Sequence, residues 1–165
     1  MAANTRTASK LSLPSDVEIV GSRIMDAPPD LVFKAYTDPE LIPQWWGPRR
    51  YATVVDKLDL RPGGSWRFLN RGADGAEHWF NGVYREIVPP HRLVYTFNYE
   101  GAPGSEVVET VTFEQVEGGK TRMTDHMRFA SRADRDGMLS SGMEEGGAET
   151  IERLGELLTR LQAKR

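Results

Sequence analysis

The sequence predicts an α+β fold in which a seven-stranded antiparallel sheet wraps around one long C-terminal helix. Strand-like alternation of apolar residues recurs in six stretches between residues 51 and 129, after a first strand and two short helices. The turns between these stretches are short, which favours antiparallel neighbours because a parallel pair needs a long crossover. Beyond Ser131 the apolar spacing becomes helical, and this last helix alone is long enough to cover the sheet.

The N-terminal part predicts one strand and two short helices. Residues 17–25 alternate as a strand, and residues 31–36 repeat apolar side chains at helical spacing. Asp38-Pro39-Glu40 opens the second helix with acidic residues, which the macrodipole favours at that end. Trp45-Trp46 then leads into Gly47-Pro48, which ends the helix.

The middle of the chain predicts six consecutive strands. Gly and Pro punctuate them, and the pairs Asp74-Gly75 and Gly118-Gly119 are strong hairpin signals. The predicted strands are residues 51–60, 65–70, 77–88, 92–99, 107–116 and 121–129.

The C-terminal part predicts a helix that is firm from about Met143. Its apolar stripe consists of Met143, Gly147, Ile151, Leu154, Leu158 and Leu161. Glycines before and within its first half each cost about 1 kcal/mol relative to alanine, so we expect a looser or kinked lead-in. Ser131 and Asp134 form a capping signal ahead of it.

Length and composition predict one domain over residues 13–165, after a loosely ordered tail of residues 1–12. The net charge of −3 gives no reason to expect nucleic acid, and the pair Arg49-Arg50 is interpreted as a solvated loop. No cysteine is present, so disulfides and thiolate catalysis are excluded. Neither a signal peptide nor a membrane span is apparent, and we expect a cytoplasmic monomer or homodimer.

A set of short segments along the chain carries a family resemblance. They are Asp26-Ala27-Pro28, residues 32–39, Trp45-Trp46-Gly47-Pro48, residues 59–64, residues 82–90, residues 92–95 and residues 141–146. With them, the chain from Leu13 to Leu161 resembles the activator of heat shock protein 90 ATPase homologue-like family, within the START-like (SRPBCC, Bet v 1-like) superfamily. The segments are turn, core and corner residues, and none is a catalytic signature.

The resemblance implies the helix-grip fold and an internal cavity between the sheet and the last helix. Relatives in the superfamily include lipid carriers, hormone binders, polyketide cyclases and proteins that sequester toxic natural products. The family takes its name from a eukaryotic co-chaperone with an additional domain, for which this chain has no room. The resemblance therefore implies a cavity for an apolar or amphiphilic molecule, with Trp45 and Trp46 near one end.

The last predicted strand departs from the family pattern at Asp125. Alternation places Asp125 on the apolar face with Met123, Met127 and Phe129. The hairpin at Gly118-Gly119 would bring Val111 opposite Asp125 and Glu109 one diagonal step away.

Two carboxylates in a half-buried cavity raise one pKa, as in a general acid–base pair. They would anchor a ligand or a substrate, unless a neighbouring arginine or water at the cavity mouth neutralises them.

Other candidate chemistry is weak. His126 is expected on the outer face, and His78 and His91 lie at a strand start and in a turn, so no metal site is predicted. Ser140-Ser141-Gly142 lacks the frame of a nucleophile elbow, and no cofactor motif is present.

The function predicted is binding or carriage of a small hydrophobic or amphiphilic molecule. An enzyme that uses Glu109 and Asp125 on an apolar substrate, such as a cyclase or hydrolase, is the alternative, and a co-chaperone-like interaction module is a third. Aromatic and methionine side chains become the walls in a fold with a cavity. The ligand-binding candidates are Trp45, Trp46, Trp66, Phe68, Trp79, Tyr95, Phe97, Glu109, Met123, Asp125, Met138 and Met143.

Overall fold

Eight strands form one antiparallel sheet in the computed structural model, which describes residues 10–164. The order of strands across the sheet is β1-β2-β8-β7-β6-β5-β4-β3. The strands are β1 (Lys10–Ser12), β2 (Glu18–Met25), β3 (Tyr51–Leu58), β4 (Ser65–Gly72), β5 (Glu77–Val88), β6 (Arg92–Tyr99), β7 (Val107–Val116) and β8 (Lys120–Phe129). The helices are α1 (Pro29–Thr37), a 3-10 helix (Ile42–Gln44), α2 (Arg132–Ser140) and α3 (Met143–Ala163).

The predicted α+β class and the antiparallel sheet with its long C-terminal helix are confirmed, but the sheet has eight strands rather than seven. The additional strand is β1, which pairs with β2 through Leu11 and Gly21. The edge of β2 offers unpaired N–H and C=O groups, and β1 satisfies them. The tail prediction is therefore wrong for residues 10–12, and residues 1–9 lie outside the described part of the chain.

The second short helix is reduced to the single 3-10 turn Ile42–Gln44. The N–H groups of Leu41 and Ile42 donate hydrogen bonds to the carbonyl of Asp38, so the residues just before Ile42 form a turn. Gly47 adopts φ +84° and precedes Pro48, so little chain remains for a longer helix.

The lead-in to the last helix is a separate helix, α2. Its N-cap is Ser131, whose Oγ accepts a hydrogen bond from the N–H of Asp134 at 3.1 Å, which confirms the capping signal. Gly142 adopts φ +85° between α2 and α3, a conformation that favours glycine and turns the chain between the two helices.

We call the face of the sheet that α1 and α3 cover the inner face. The core cluster joins Leu154 and Leu158 of α3 and Phe33 of α1 to Val111 and Met123 of the sheet. The predicted β7–β8 register is confirmed, since Val111 pairs with Asp125 and Phe113 with Met123. The core therefore fills the space between the middle of α3 and strands β7 and β8, while the first turns of α3 lie over other parts of the sheet.

Candidate functional site

A partly open cavity of about 480 Å³ lies between the inner face and the first half of α3. Its walls are mainly apolar and come from α1, the Trp45–Pro48 corner, strands β3 to β8, and the segment joining α2 to α3. The lining residues include aromatic, acidic, basic and methionine side chains: Tyr36, Trp46, Arg50, Trp66, His78, Phe80, Tyr95, Phe97, Tyr99, Glu109, Asp125, Met138 and Met143. The volume falls within the range typical of small-molecule sites.

Strand β6 supplies the longest aromatic wall. Alternation puts Tyr95, Phe97 and Tyr99 on the inner face in one row. Phe80 of β5 lies beside this row, with ring centroids 5.5 Å from Phe97 and 5.2 Å from Tyr99. Trp66 of β4 lies 6.1 Å from Tyr95. The wall is thus continuous from the middle of the sheet toward the end of β6.

The Trp45–Pro48 corner closes the cavity beside α3. The Trp46 ring meets Phe80 at 5.2 Å and Trp66 at 6.5 Å, both edge to face. Side chains from α3 and β3 donate hydrogen bonds to the corner backbone. Arg153 of α3 donates from Nη1 to the carbonyl of Gly47 at 2.6 Å, and the Thr53 hydroxyl donates to the carbonyl of Trp46 at 2.6 Å.

Glu109 and Asp125 form an acidic pair at the buried part of the cavity. Glu109 lies opposite Met127 in the β7–β8 register, one diagonal step from Asp125. Burial and then repulsion from Asp125 raise the pKa of Glu109 well above its usual value. Burial also raises the pKa of Asp125, to about 6, while a hydrogen bond from Glu109 acts to lower it. These directions place the shared proton on Glu109, which then donates to Asp125.

Two tyrosines complete this polar cluster. The Tyr95 hydroxyl donates to Oε2 of Glu109 at 3.2 Å. Burial and the neighbouring carboxyl groups raise the pKa of both Tyr36 and Tyr95, so both phenols stay neutral. Oδ1 of Asp125 is buried and accepts no hydrogen bond from an N–H or hydroxyl donor of the described residues. A protonated Glu109 is a hydrogen-bond donor to the Asp125 carboxylate, and Asp125 also lines the cavity.

The far end of the cavity carries basic groups. Arg50 stacks on the Tyr51 ring with 4.8 Å from its guanidinium carbon to the ring centroid, and His78 hydrogen-bonds to the Tyr99 hydroxyl at 2.9 Å. Tyr99 is four residues along β6 from Tyr95, so this end lies roughly 13 Å from the acidic pair. The cavity therefore has an acidic end, an aromatic middle and a basic end.

Most of the ligand-binding candidates from the sequence line this cavity. They are Trp45, Trp46, Trp66, Tyr95, Phe97, Glu109, Asp125, Met138 and Met143.

Three candidates lie elsewhere. Trp79 is next to the inward-facing Phe80, so its ring lies on the outer face, where the guanidinium of Arg67 stacks 3.7 Å from its centroid. Met123 is buried in the core cluster under α3, and Phe68 packs behind the wall against Trp46 and Trp66.

Several lining residues were not among the candidates. Phe80 and His78 share the inner face of β5, and Tyr99 ends the alternating row of β6, so alternation alone would have found them. Arg50 is exposed, as its interpretation as part of a solvated loop predicts, and it also lines the cavity. Its neighbour Arg49 forms ion pairs with Glu152 and Glu156 of α3 at 2.7 Å each. No sequence pattern marks Tyr36 as a lining residue, because its helical spacing predicts a side chain buried in the hydrophobic core.

His126 points away from Asp125, as the alternation predicted. It is half-buried rather than exposed, because its Nε2 pairs with the carboxylate of Glu18 on β2. Over residues 10–164 no cluster of three or more His, Asp or Glu side chains is arranged to hold a metal ion. None of the helices described has the length and apolar character needed to cross a bilayer.

Sequence comparison matches residues 26–159 to the family described as Activator of Hsp90 ATPase homolog 1-like protein. No functionally curated protein matches the chain.

Similar folds occur among solved structures. A Rhodobacter sphaeroides protein has a TM-score of 0.86 at 25% identity, covering 93% of this chain and 99% of its own. For an Arthrobacter aurescens protein the TM-score is 0.83 at 25% identity, with 92% and 91% covered. A Mycobacterium smegmatis protein gives 0.81 at 24%, with 90% and 95% covered, which shows the fold alone.

Proposed function

We propose that this chain, which belongs to the Activator of Hsp90 ATPase homolog 1-like family, binds a small hydrophobic or amphiphilic molecule in the cavity. The observation that carries the proposal is the 480 Å³ space walled by aromatic rings beside the first turns of α3. An apolar body placed there leaves water and contacts Trp46, Trp66 and Phe97, which is favourable in proportion to the apolar area buried.

The distribution of polar groups favours an amphiphilic ligand over a pure hydrocarbon. Glu109 and Asp125 lie at one end and Arg50 and His78 at the other, with aromatic side chains between them. A few polar groups at fixed positions in an apolar pocket set the orientation of a ligand. Met138 of α2 and Met143 of α3, on either side of the segment that joins these helices, add unbranched side chains that adapt to variable shapes.

A neutral fluorescent probe, N-phenyl-1-naphthylamine, tests the proposal, and two glycine variants place its site. An added Cβ at Gly147 of α3, which lines the cavity, meets no atom within 4 Å, and the same holds at Gly137 of α2, which does not line it. We expect the probe to bind the native protein. Gly147→Phe should weaken binding roughly tenfold by filling the mouth, while the matched control Gly137→Phe should leave it unchanged.

Absence of probe binding to the native protein, or equal binding by both variants, would contradict the proposal. Mass spectrometry of the natively purified protein then identifies any molecule that travels with it.

The acidic pair favours one second candidate, an enzyme that moves a proton on an apolar substrate. A neutral Glu109 beside an ionised Asp125 supplies an acid and a base in the same cavity. Under this candidate, Asp125→Asn abolishes turnover of the molecule found by mass spectrometry and leaves its affinity nearly intact. Under pure carriage the same variant changes affinity, and there is no turnover to lose.

We do not propose the co-chaperone-like role. The outer face of β8 presents Arg122, Thr124, His126 and Arg128, of which Arg122 pairs with Glu114 at 2.8 Å. This strand thus lacks the apolar surface that a docking module needs. We extend the carriage proposal to a cytoplasmic monomer or homodimer, which size-exclusion chromatography with light scattering tests for oligomeric state.

A further inference from the structure

We infer that the preferred ligand carries a positively charged nitrogen, such as a protonated amine, seated against Glu109 and Asp125 with its apolar body along the β6 wall. This inference rests on the proposed function, because it names the chemical class that the same cavity takes.

The acidic pair lacks a counter-charge. Within residues 10–164 neither Glu109 nor Asp125 forms an ion pair with a lysine or arginine. The titratable groups that face the pair from packed elements are the neutral phenols of Tyr36 on α1 and Tyr95 on β6. His126, the neighbour of Asp125, points to the opposite face and is paired with Glu18. Arg23 of β2 is also on the inner face, opposite Met123, but it lies toward Glu152 in a second cavity under α3 and forms no ion pair with either carboxyl group. The pair therefore has no cation in contact with it on the inner face.

One shared proton leaves the acidic pair with a negative charge. A proton on Glu109 still leaves Asp125 ionised at neutral pH, since the Asp125 pKa is raised only to about 6. An ionised carboxylate in an apolar cavity is costly unless it is paired and hydrogen-bonded. A ligand ammonium would supply both the opposite charge and N–H donors to the part of Asp125 that lines the cavity.

Aromatic surface surrounds the acidic pair. The Tyr95 and Tyr36 rings flank the pair, and Trp66 lies 6.1 Å from Tyr95. The faces of such rings carry negative charge density and attract cations within about 6 Å of their centroids. An anionic group would meet repulsion here, and it would fit only at the opposite end, near Arg50 and His78.

Three probes with the same ring system test the inference. They are 2-naphthylmethylamine, 2-naphthalenemethanol and 2-naphthoic acid, compared by calorimetry at about pH 7.5. We expect the amine to bind roughly tenfold or more tighter than the alcohol. The amine should also bind tighter than the acid, because the acid can avoid the acidic pair only by placing its carboxylate at the far end, where Arg50 is exposed. The affinity of the alcohol measures the contribution of the apolar cavity alone. The difference in affinity between the amine and the alcohol therefore measures the contribution of the positive charge.

Two variants locate the charge that is responsible. Glu109→Gln copies the protonated state and leaves Asp125 ionised, so the amine preference should persist. The double variant Glu109→Gln/Asp125→Asn carries no ionisable group at the pair, so the amine should bind no better than the alcohol. Both substitutions keep the side-chain volume, and circular dichroism checks that each variant folds.

A second readout uses the native protein alone. The amine preference should grow between about pH 5 and about pH 8, as Asp125 loses its proton. Equal binding of amine and alcohol at pH 8, or a preference that survives in the folded double variant, would overturn the inference while leaving the proposed function standing. If none of the three probes binds, the proposed function fails, and the inference fails with it.

Discussion

Glu109 of β7 and Asp125 of β8 are diagonal neighbours on the inner face of the sheet, where burial raises the pKa of both carboxyl groups. Most charged side chains of the described residues find partners at the surface, as Arg67 and Glu100 do at 2.8 Å. The pair instead depends on one shared proton and on the Tyr95 hydroxyl. The protonation of the pair is therefore coupled both to folding and to the binding of a ligand in the cavity.

The acidic pair predicts a contribution to stability that falls as pH rises. Both folded-state pKa values lie above the unfolded values, so this contribution is full below about pH 4 and is lost as pH rises through the folded values, about 6 for Asp125. Glu109→Gln removes one titrating group. Relative to this variant, the native protein should lose roughly 1–3 kcal/mol of unfolding free energy between about pH 4.5 and about pH 8.

Urea denaturation of both proteins at each pH measures this difference. Surface carboxylates with lowered pKa values, such as Glu100, act in the opposite direction and cancel in the comparison. A difference that stays constant with pH would show that the pKa of Glu109 is the same in the folded and unfolded states.

At Gly82 of β5, behind the aromatic wall, there is no space for a side chain larger than hydrogen. A Cβ at this position would come within 1.8 Å of the Thr96 carbonyl oxygen and 2.5 Å of Trp66 Nε1. Gly82→Ala should destabilise the fold by about 1–3 kcal/mol, because strand and indole must move apart. Gly137→Ala is the control, since its Cβ meets no atom within 4 Å and alanine favours a helix. Equal urea midpoints for the two variants would refute the steric argument.

Two arginines beside the Trp45–Pro48 corner are expected to contribute different amounts to the free energy of unfolding. Arg153 donates to the Gly47 carbonyl at 2.6 Å in a half-buried position, so Arg153→Met should cost about 1–3 kcal/mol and loosen the corner. Arg49 pairs with Glu152 and Glu156 in a largely exposed position, so Arg49→Met should cost less than about 1 kcal/mol, and less still at high salt. Thermal unfolding at low and high salt measures both. The reverse ranking would mean that the exposed ion pairs, rather than the backbone contact, fix the corner.

Two tryptophans on opposite faces predict which fluorescence reports the ligand. The Trp46 ring lines the cavity, whereas Trp79 stacks under Arg67 on the outer face. Trp46→Phe should remove much of the intrinsic fluorescence change that 2-naphthalenemethanol causes. Trp79→Phe should retain that change. If Trp79→Phe lost the signal and Trp46→Phe kept it, the ligand would bind outside the cavity.

The strands and the orientation of Asp125 were predictable because alternation and turn residues are local signals. Three strands, β5, β6 and β7, begin and end at the predicted residues, and the β7–β8 register follows from one two-glycine turn. Alternation also shows that Trp79 and Phe80 cannot both face inward, a distinction that selection by residue type overlooked.

Other features depend on contacts between distant parts of the chain. Strand β1 forms because β2 has a free edge, and nothing within residues 10–12 reveals that edge. Tyr36 reaches the cavity through the way α1 packs on the sheet, while its spacing resembles that of Phe33, which is core. The sequence predicts a looser or kinked lead-in but not a separate helix, because it does not say which of several glycines adopts the left-handed conformation, here Gly142.

The pairing of β2 with β8 has a consequence during synthesis. Glu18 and His126, which join the two strands, are 108 positions apart, and α3 follows both in the chain. A nascent chain on the ribosome must hold its aromatic strands without their helical cover until α3 has been synthesised. Pairing between strands so far apart in the sequence is slow, and it leaves hydrophobic surface exposed and prone to aggregation. Chaperones that shield unfinished chains should therefore improve the yield of this protein when it is overproduced.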